Sequence, residues 1–80
     1  MAAQETVVAY VILVVSVGQE YRILEEIKKL KEVKDAHIVY GEYDIIAQVE
    51  VDSIKKLENV IRSIRNIKGV LRSITLICSG

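Results

Sequence analysis

The sequence has no proline and one cysteine, and its charges cancel: 11 lysines and arginines stand against 11 aspartates and glutamates. With zero net charge there is no long-range field to draw in nucleic acid or an anionic membrane. The lone thiol, Cys78, cannot build internal disulfides, and nothing beside it has metal-ligand spacing. Its expected role is a small buried hydrophobe, and no metal or cofactor is expected. The one histidine, His37, lies in a strand-like run with no acid immediately beside it on its own face. It reads as a structural or edge residue rather than a general base.

Eighty residues make one domain, covering the whole chain with a core at about residues 7–78. A chain of this size buries only about 60% of its unfolded surface, so its stability alone is marginal. Half the residues are apolar, which suffices for a core and suggests a second buried surface. The apolar run Val7 to Val17 is too short to cross a bilayer, which needs about 20 residues. It also lacks the basic flank and cleavage site of a secretory signal, so a cytoplasmic protein is expected.

The middle of the chain organises the rest. Tyr40-Gly41-Glu42-Tyr43-Asp44 separates Ala36–Tyr40 from Ile45–Val51, two short runs rich in β-branched residues. So short a connection predicts an antiparallel hairpin. Gly41 takes positive φ without steric cost, and Asp44 can bond nearby backbone N–H groups. Before the hairpin, Val7 to Val17 predicts a strand that is apolar on both faces and therefore covered on both. Gly18 ends it, and the period turns helical. Ile23, Leu24, Ile27, Leu30 and Val33 form one stripe, with Glu25 and Lys29 paired at i,i+4 on the wet side.

After the hairpin, Asp52 is placed to cap a second helix whose stripe is Ile54, Leu57, Val60, Ile61, Ile64 and Ile67. Gly69 is expected to close it as the residue just past the C-cap. Val70 to Cys78 then makes a fourth strand. The order β-α-β-β-α-β predicts an α+β, ferredoxin-like fold: a four-stranded antiparallel sheet with two helices on one face. Two helices leave the other face bare. Strand one is apolar there, and on strand four Leu71 and Ile77 fall on one parity, with Val70, Ile74 and Leu76 on the other. Such a patch exceeds what soluble monomers usually expose, so a homodimer at least is expected.

Catalytic chemistry is thin, and an enzyme is not expected. There is no serine-histidine-acid set, and Gly18 and Gly41 are too isolated for a phosphate loop. Acylphosphatases share the expected fold, but Gly18-Gln19-Glu20-Tyr21-Arg22 is no substitute for their arginine-bearing first loop. An RNA-reading sheet presents aromatics on its central strands in a basic setting, and the third strand has none inside it. Arg62, Arg65, Lys68 and Arg72 read as solvated helix and strand ends. Binding remains. In an oligomer the Gly41–Asp44 turn repeats at each interface, where a small zwitterion could lodge. Asp44 suits an ammonium, and turn N–H groups with the hydroxyls of Ser73 and Thr75 suit a carboxylate. The bland alternative, that Asp44 only caps its turn and the hydroxyls bond to backbone, is about equally supported.

Gly41-Glu42-Tyr43-Asp44 followed by an alternating strand resembles the Gly-x-Tyr-Asp signature of the Lrp/AsnC effector domain, the RAM domain. Val33-Lys34-Asp35-Ala36 and Gly69-Val70-Leu71-Arg72-Ser73-Ile74-Thr75 extend the resemblance across residues 7–78, with Ser73 where threonine is commoner. Full-length members carry a DNA-binding helix-turn-helix for which there is no room before residue seven. The chain is therefore similar to stand-alone members. The resemblance implies dimers formed through the sheet, assembly into octamers of four dimers, and an amino-acid effector held between dimers. On this basis Gly41, Tyr43 and Asp44 are effector-site residues, joined by Ser73 and Thr75. It implies co-assembly with full-length regulators or buffering of an amino acid, with no direct nucleic-acid or membrane contact. Two further readings stay open: a purely structural partner of such regulators, and an ACT-like regulatory domain.

Overall fold

The computed structural model describes residues 6–79. Six elements follow in order: β1 (Val7–Val15), α1 (Glu20–Lys28), β2 (Val33–Ile38), β3 (Ile45–Val51), α2 (Ile54–Arg65) and β4 (Val70–Ile77). All strand pairs are antiparallel, in the order β2-β3-β1-β4. This is the ferredoxin-like α+β fold expected from the sequence, with β2 and β4 at the edges.

Alternation along the strands sorts the residues between two faces. Ala9, Val11, Leu13 and Val15 of β1 and Ile45, Ala47, Val49 and Val51 of β3 are buried. They share one core with Ile23, Leu24 and Ile27 of α1 and Leu57, Val60 and Ile64 of α2. The intervening residues Val8, Ile12, Val14 and Ile46 are only half-buried, and Tyr10 is more exposed. Cross-strand pairing sets Ile12 between Ile46 of β3 and Ile74 of β4, and Tyr10 between Gln48 and Leu76. The helices leave this second face uncovered.

Several local expectations shift by a residue or two. Val33 leaves the α1 stripe and opens β2 opposite Val49, as its β-branched side chain favours. The i,i+4 pair of α1 is Arg22–Glu26 at 2.7 Å, because Lys29 stands at the C-cap. Ser53, not Asp52, caps α2: its hydroxyl accepts the Lys56 N–H at 3.1 Å, a bond worth about 1 kcal/mol. Asp52 instead meets Lys56 Nζ at 3.4 Å. Ile54 begins α2 half-exposed rather than in its stripe. Gly69 is not the residue after the cap, since α2 ends at Arg65 with Asn66 as its C-cap, and three residues intervene between that cap and β4. Cys78 is exposed, because β4 is an edge strand that ends one residue before it.

The parity expected for β4 is broken by a β-bulge. Val14 pairs with Arg72 but Val15 with Val70, leaving Leu71 without a partner. A bulge moves the residues beyond it to the other face. Val70 therefore packs against the core, while Ile74 and Leu76 stay on the uncovered side and Ile77 falls opposite buried Ala9.

Candidate functional site

The turn between β2 and β3 is built by the antiparallel ladder that it interrupts. Val39 N–H donates to the Asp44 carbonyl at 2.9 Å, closing the loop, and Asp44 N–H donates to Leu13 O at 2.8 Å. Beyond that point β3 no longer follows β1. The Asp44 carboxylate substitutes for the missing strand: its Oδ2 accepts the Val15 N–H at 2.8 Å. A half-buried backbone donor left without an acceptor would cost roughly 1–3 kcal/mol, so the aspartate has a structural task. Gly41 sits at φ +127°, with open space where a side chain would start. The backbone conformation, and not crowding, calls for glycine there. Tyr40 at the tip is 99% exposed.

Tyr43 is half-buried, and the guanidinium carbon of Arg72 lies 6.0 Å above its ring, at the outer limit of a cation–π contact. Arg72 reaches Tyr43 from the uncovered side, where it pairs with Val14. Ser73 and Thr75 pair with the core residues Leu13 and Val11 and therefore stand on the opposite face of β4. The fold thus gathers Gly41, Tyr43 and Asp44 at one end of the sheet, beside Arg72. It separates Ser73 and Thr75 from them by the thickness of β4. Arg72, read from sequence as a solvated strand end, is the residue that sequence reasoning missed. The one signal for it was its place beside Ser73 in the final motif.

His37 does have an acid on its own face. Asp35, two residues earlier on β2, puts Oδ2 3.0 Å from His37 Nε2. The i,i+2 spacing of a strand carried that signal. The hydrogen bond from His37 is the main cause that holds the Asp35 carboxyl below the ordinary carboxylate range. A lowered folded-state pKa contributes stability that is complete above the unfolded value and is lost as pH falls through the folded one. His37→Gln is expected to raise the Asp35 midpoint toward the ordinary value. Carboxyl carbon shifts followed by NMR through the acid range check this, and an unmoved midpoint would refute the assignment of cause.

No group of three or more His, Cys, Asp or Glu among the described residues could hold a metal ion. No helix among them is long and apolar enough to cross a membrane. The turn end brings together a carboxylate, an aromatic face and a guanidinium.

The family model described as the Lrp/AsnC ligand binding domain matches residues 8–79. An uncharacterised HTH-type transcriptional regulator of Pyrococcus furiosus is 36% identical over 56 residues, 69% of this chain and 37% of that protein. The chain thus spans little more than a third of that regulator's length. The crystal structure of a hypothetical protein from Pyrococcus horikoshii superposes with a TM-score of 0.87 at 36% identity, covering 92% of this chain and 90% of that one. AsnC of E. coli gives a TM-score of 0.86 at 28% identity, covering 92% of this chain and 51% of its own. By a family match that takes in all but the extreme residues, the chain belongs to the Lrp/AsnC ligand-binding domain family.

Proposed function

We propose that the chain is an amino-acid-responsive effector-binding and oligomerisation module of the Lrp/AsnC type, one that modulates transcription regulators. The observation that carries this reading is an uncovered apolar sheet face adjoining the Tyr43–Asp44 end. A second copy laid on that face would bury on the order of 800 Å² per chain, the size of a standard interface. Dimers then assemble further, to an octamer of four dimers, and Gly41, Tyr43 and Asp44 line the seams. There Asp44 meets the effector's ammonium, and Ser73 and Thr75, which face away from this turn in their own chain, are supplied from β4 of a neighbouring copy. An amino acid shifts the assembly by its differential affinity for the associated state. The module works in the cytoplasm without catalysis of its own, through co-assembly with full-length regulators.

Asp44 favours one competing reading. With Oδ2 engaged by Val15 N–H, the turn could serve packing alone, in a purely structural partner of larger regulators. Calorimetry against each of the twenty amino acids separates the two, with Asp44→Asn as the variant. Asparagine keeps an oxygen for Val15 and removes the charge. The expected result is binding by at least one amino acid, weakened roughly tenfold or more in Asp44→Asn at unchanged thermal stability. Absence of binding by all twenty would leave the structural partner standing.

A further inference from the structure

Antiparallel pairing sets Asp35 of β2 opposite Gln48 and His37 opposite Ile46. Gln48 lies in line with Tyr10 and Leu76, and Ile46 with Ile12 and Ile74. Asp35 and His37 therefore stand on the uncovered face, at the β2 end of the two rows that cross its apolar centre. His37 Nε2 is 3.0 Å from Asp35 Oδ2, and both side chains are more than half exposed. A second copy laid on this face takes water from that margin, and two-fold symmetry brings the same pair in again from the partner.

The other charged groups near this margin are engaged elsewhere or lie apart. Lys34, at the β2 bulge, lines a cleft with Glu50 toward the far end of β3. Lys28 acts on Asp35 from the end of α1, on the helix side of the sheet. Arg72 is on β4, at the opposite edge of the sheet, over Tyr43. Tyr10 adds a phenol and no charge. None of these groups forms an ion pair with Asp35 or His37.

The state of the imidazole then decides what the interface must cover. With a neutral imidazole the margin holds a lone carboxylate, and taking a lone charge out of water is costly. With an imidazolium it holds a neutral, hydrogen-bonded ion pair, whose attraction grows as the surrounding dielectric falls. The covered state favours the second form. Imidazole is the side chain whose ordinary titration range lies between about pH 5 and 8, and the chain has one histidine.

We infer that the Asp35–His37 pair is a proton-operated contact of the interface between copies: association through the uncovered face takes up a solvent proton at His37 of each chain. The inference rests on the sheet-to-sheet dimer proposed above and adds a regulator to it. Self-association therefore tightens as pH falls from about 7.5 to about 5.5.

Sedimentation equilibrium at those two pH values is the test. The dissociation constant of the parent is expected to fall roughly tenfold at the lower pH, about threefold for each chain's proton. His37→Gln should give equal constants at both. Asp35→Asn should invert the response, because protonating His37 then places an unpaired cation at the margin, so this variant associates more weakly at the lower pH. Both side chains lie outside the core, and matching circular dichroism spectra certify the fold. A parent that is monomeric at both pH values overturns the dimer and the inference together. A parent that associates equally at both, or less tightly at the lower pH, overturns the inference alone, as does His37→Gln keeping the parent's response or Asp35→Asn failing to invert it.

Discussion

Ile12→Lys is expected to abolish self-association while leaving the subunit folded. Ile12 is half-buried at the centre of the uncovered face, between Ile46 on β3 and Ile74 on β4. Its side chain points away from the helices, so lysine there opens no cavity in the core. In a dry interface between two copies the same lysine would bring a charge, and by two-fold symmetry a second one, into apolar surroundings. Central apolar anchors of this kind are worth about 2 kcal/mol or more, so the dissociation constant should rise at least roughly 30-fold. Light scattering across micromolar concentrations reads the result, and circular dichroism checks the fold. Asn59→Lys, on the exposed side of α2, is the matched control and should leave association unchanged. A parent protein that is already monomeric, or an Ile12→Lys variant that still associates, would refute a sheet-to-sheet dimer.

Gly69→Ala should cause the largest loss of stability of any single methyl addition to a glycine among the described residues. Gly69 sits at φ +102°, and a Cβ built there would lie 2.9 Å from Ile23 Cδ1 and 3.1 Å from Arg22 Nη2. Neither neighbour moves freely. Ile23 is fully buried in the core. Arg22 is held on three sides: Nε donates to Gln19 Oε1, Nη1 to Glu26 Oε2, and Nη2 to the Lys68 carbonyl. The unfavourable backbone conformation costs roughly 1–2 kcal/mol and overpacking against Ile23 about as much again, on the order of 3 kcal/mol together. For a domain of this size that lowers the melting temperature by on the order of 15 °C. Gly41→Ala supplies the internal comparison. Its φ is also positive, but nothing lies within 4 Å of the added carbon, so only the backbone cost applies. Equal losses at the two sites would mean that the Ile23 contact is not felt.

These two sites mark what could and could not be read from the sequence. The hairpin, the order of elements and the bare sheet face followed from periodicity, because alternation at two and at 3.6 residues reports directly on which side is buried. β3 came out at Ile45–Val51, as expected. Choices of one residue did not follow. Asp52 and Ser53 are both good caps, and only the backbone at Ser53 decides between them. The bulge at Leu71 is a property of register with β1, so the sequence of β4 alone misassigned Val70. Gly69 was recognised as needed but for the wrong reason: its neighbour Ile23 lies 46 positions away and is brought there by the packing of α1. The contact of Arg72 with Tyr43 likewise depends on strand order. Conversely, Asp35 and His37 share a face by strand spacing alone, and that pair was legible and overlooked.

The place of β1 carries a consequence for how the chain reaches this structure. The first strand is central, hydrogen-bonded to β3 on one side and to β4 on the other, and neither neighbour follows it directly. Its partners come only after a helix and a strand in one direction and nearly the full length in the other. Those closures must be made before their contacts stabilise anything, which sets a slow, cooperative folding step in place of stepwise growth. A ribosome that has released only β1, α1 and β2 therefore presents an oily ribbon with no mate, and the polypeptide depends on prompt completion to hide it.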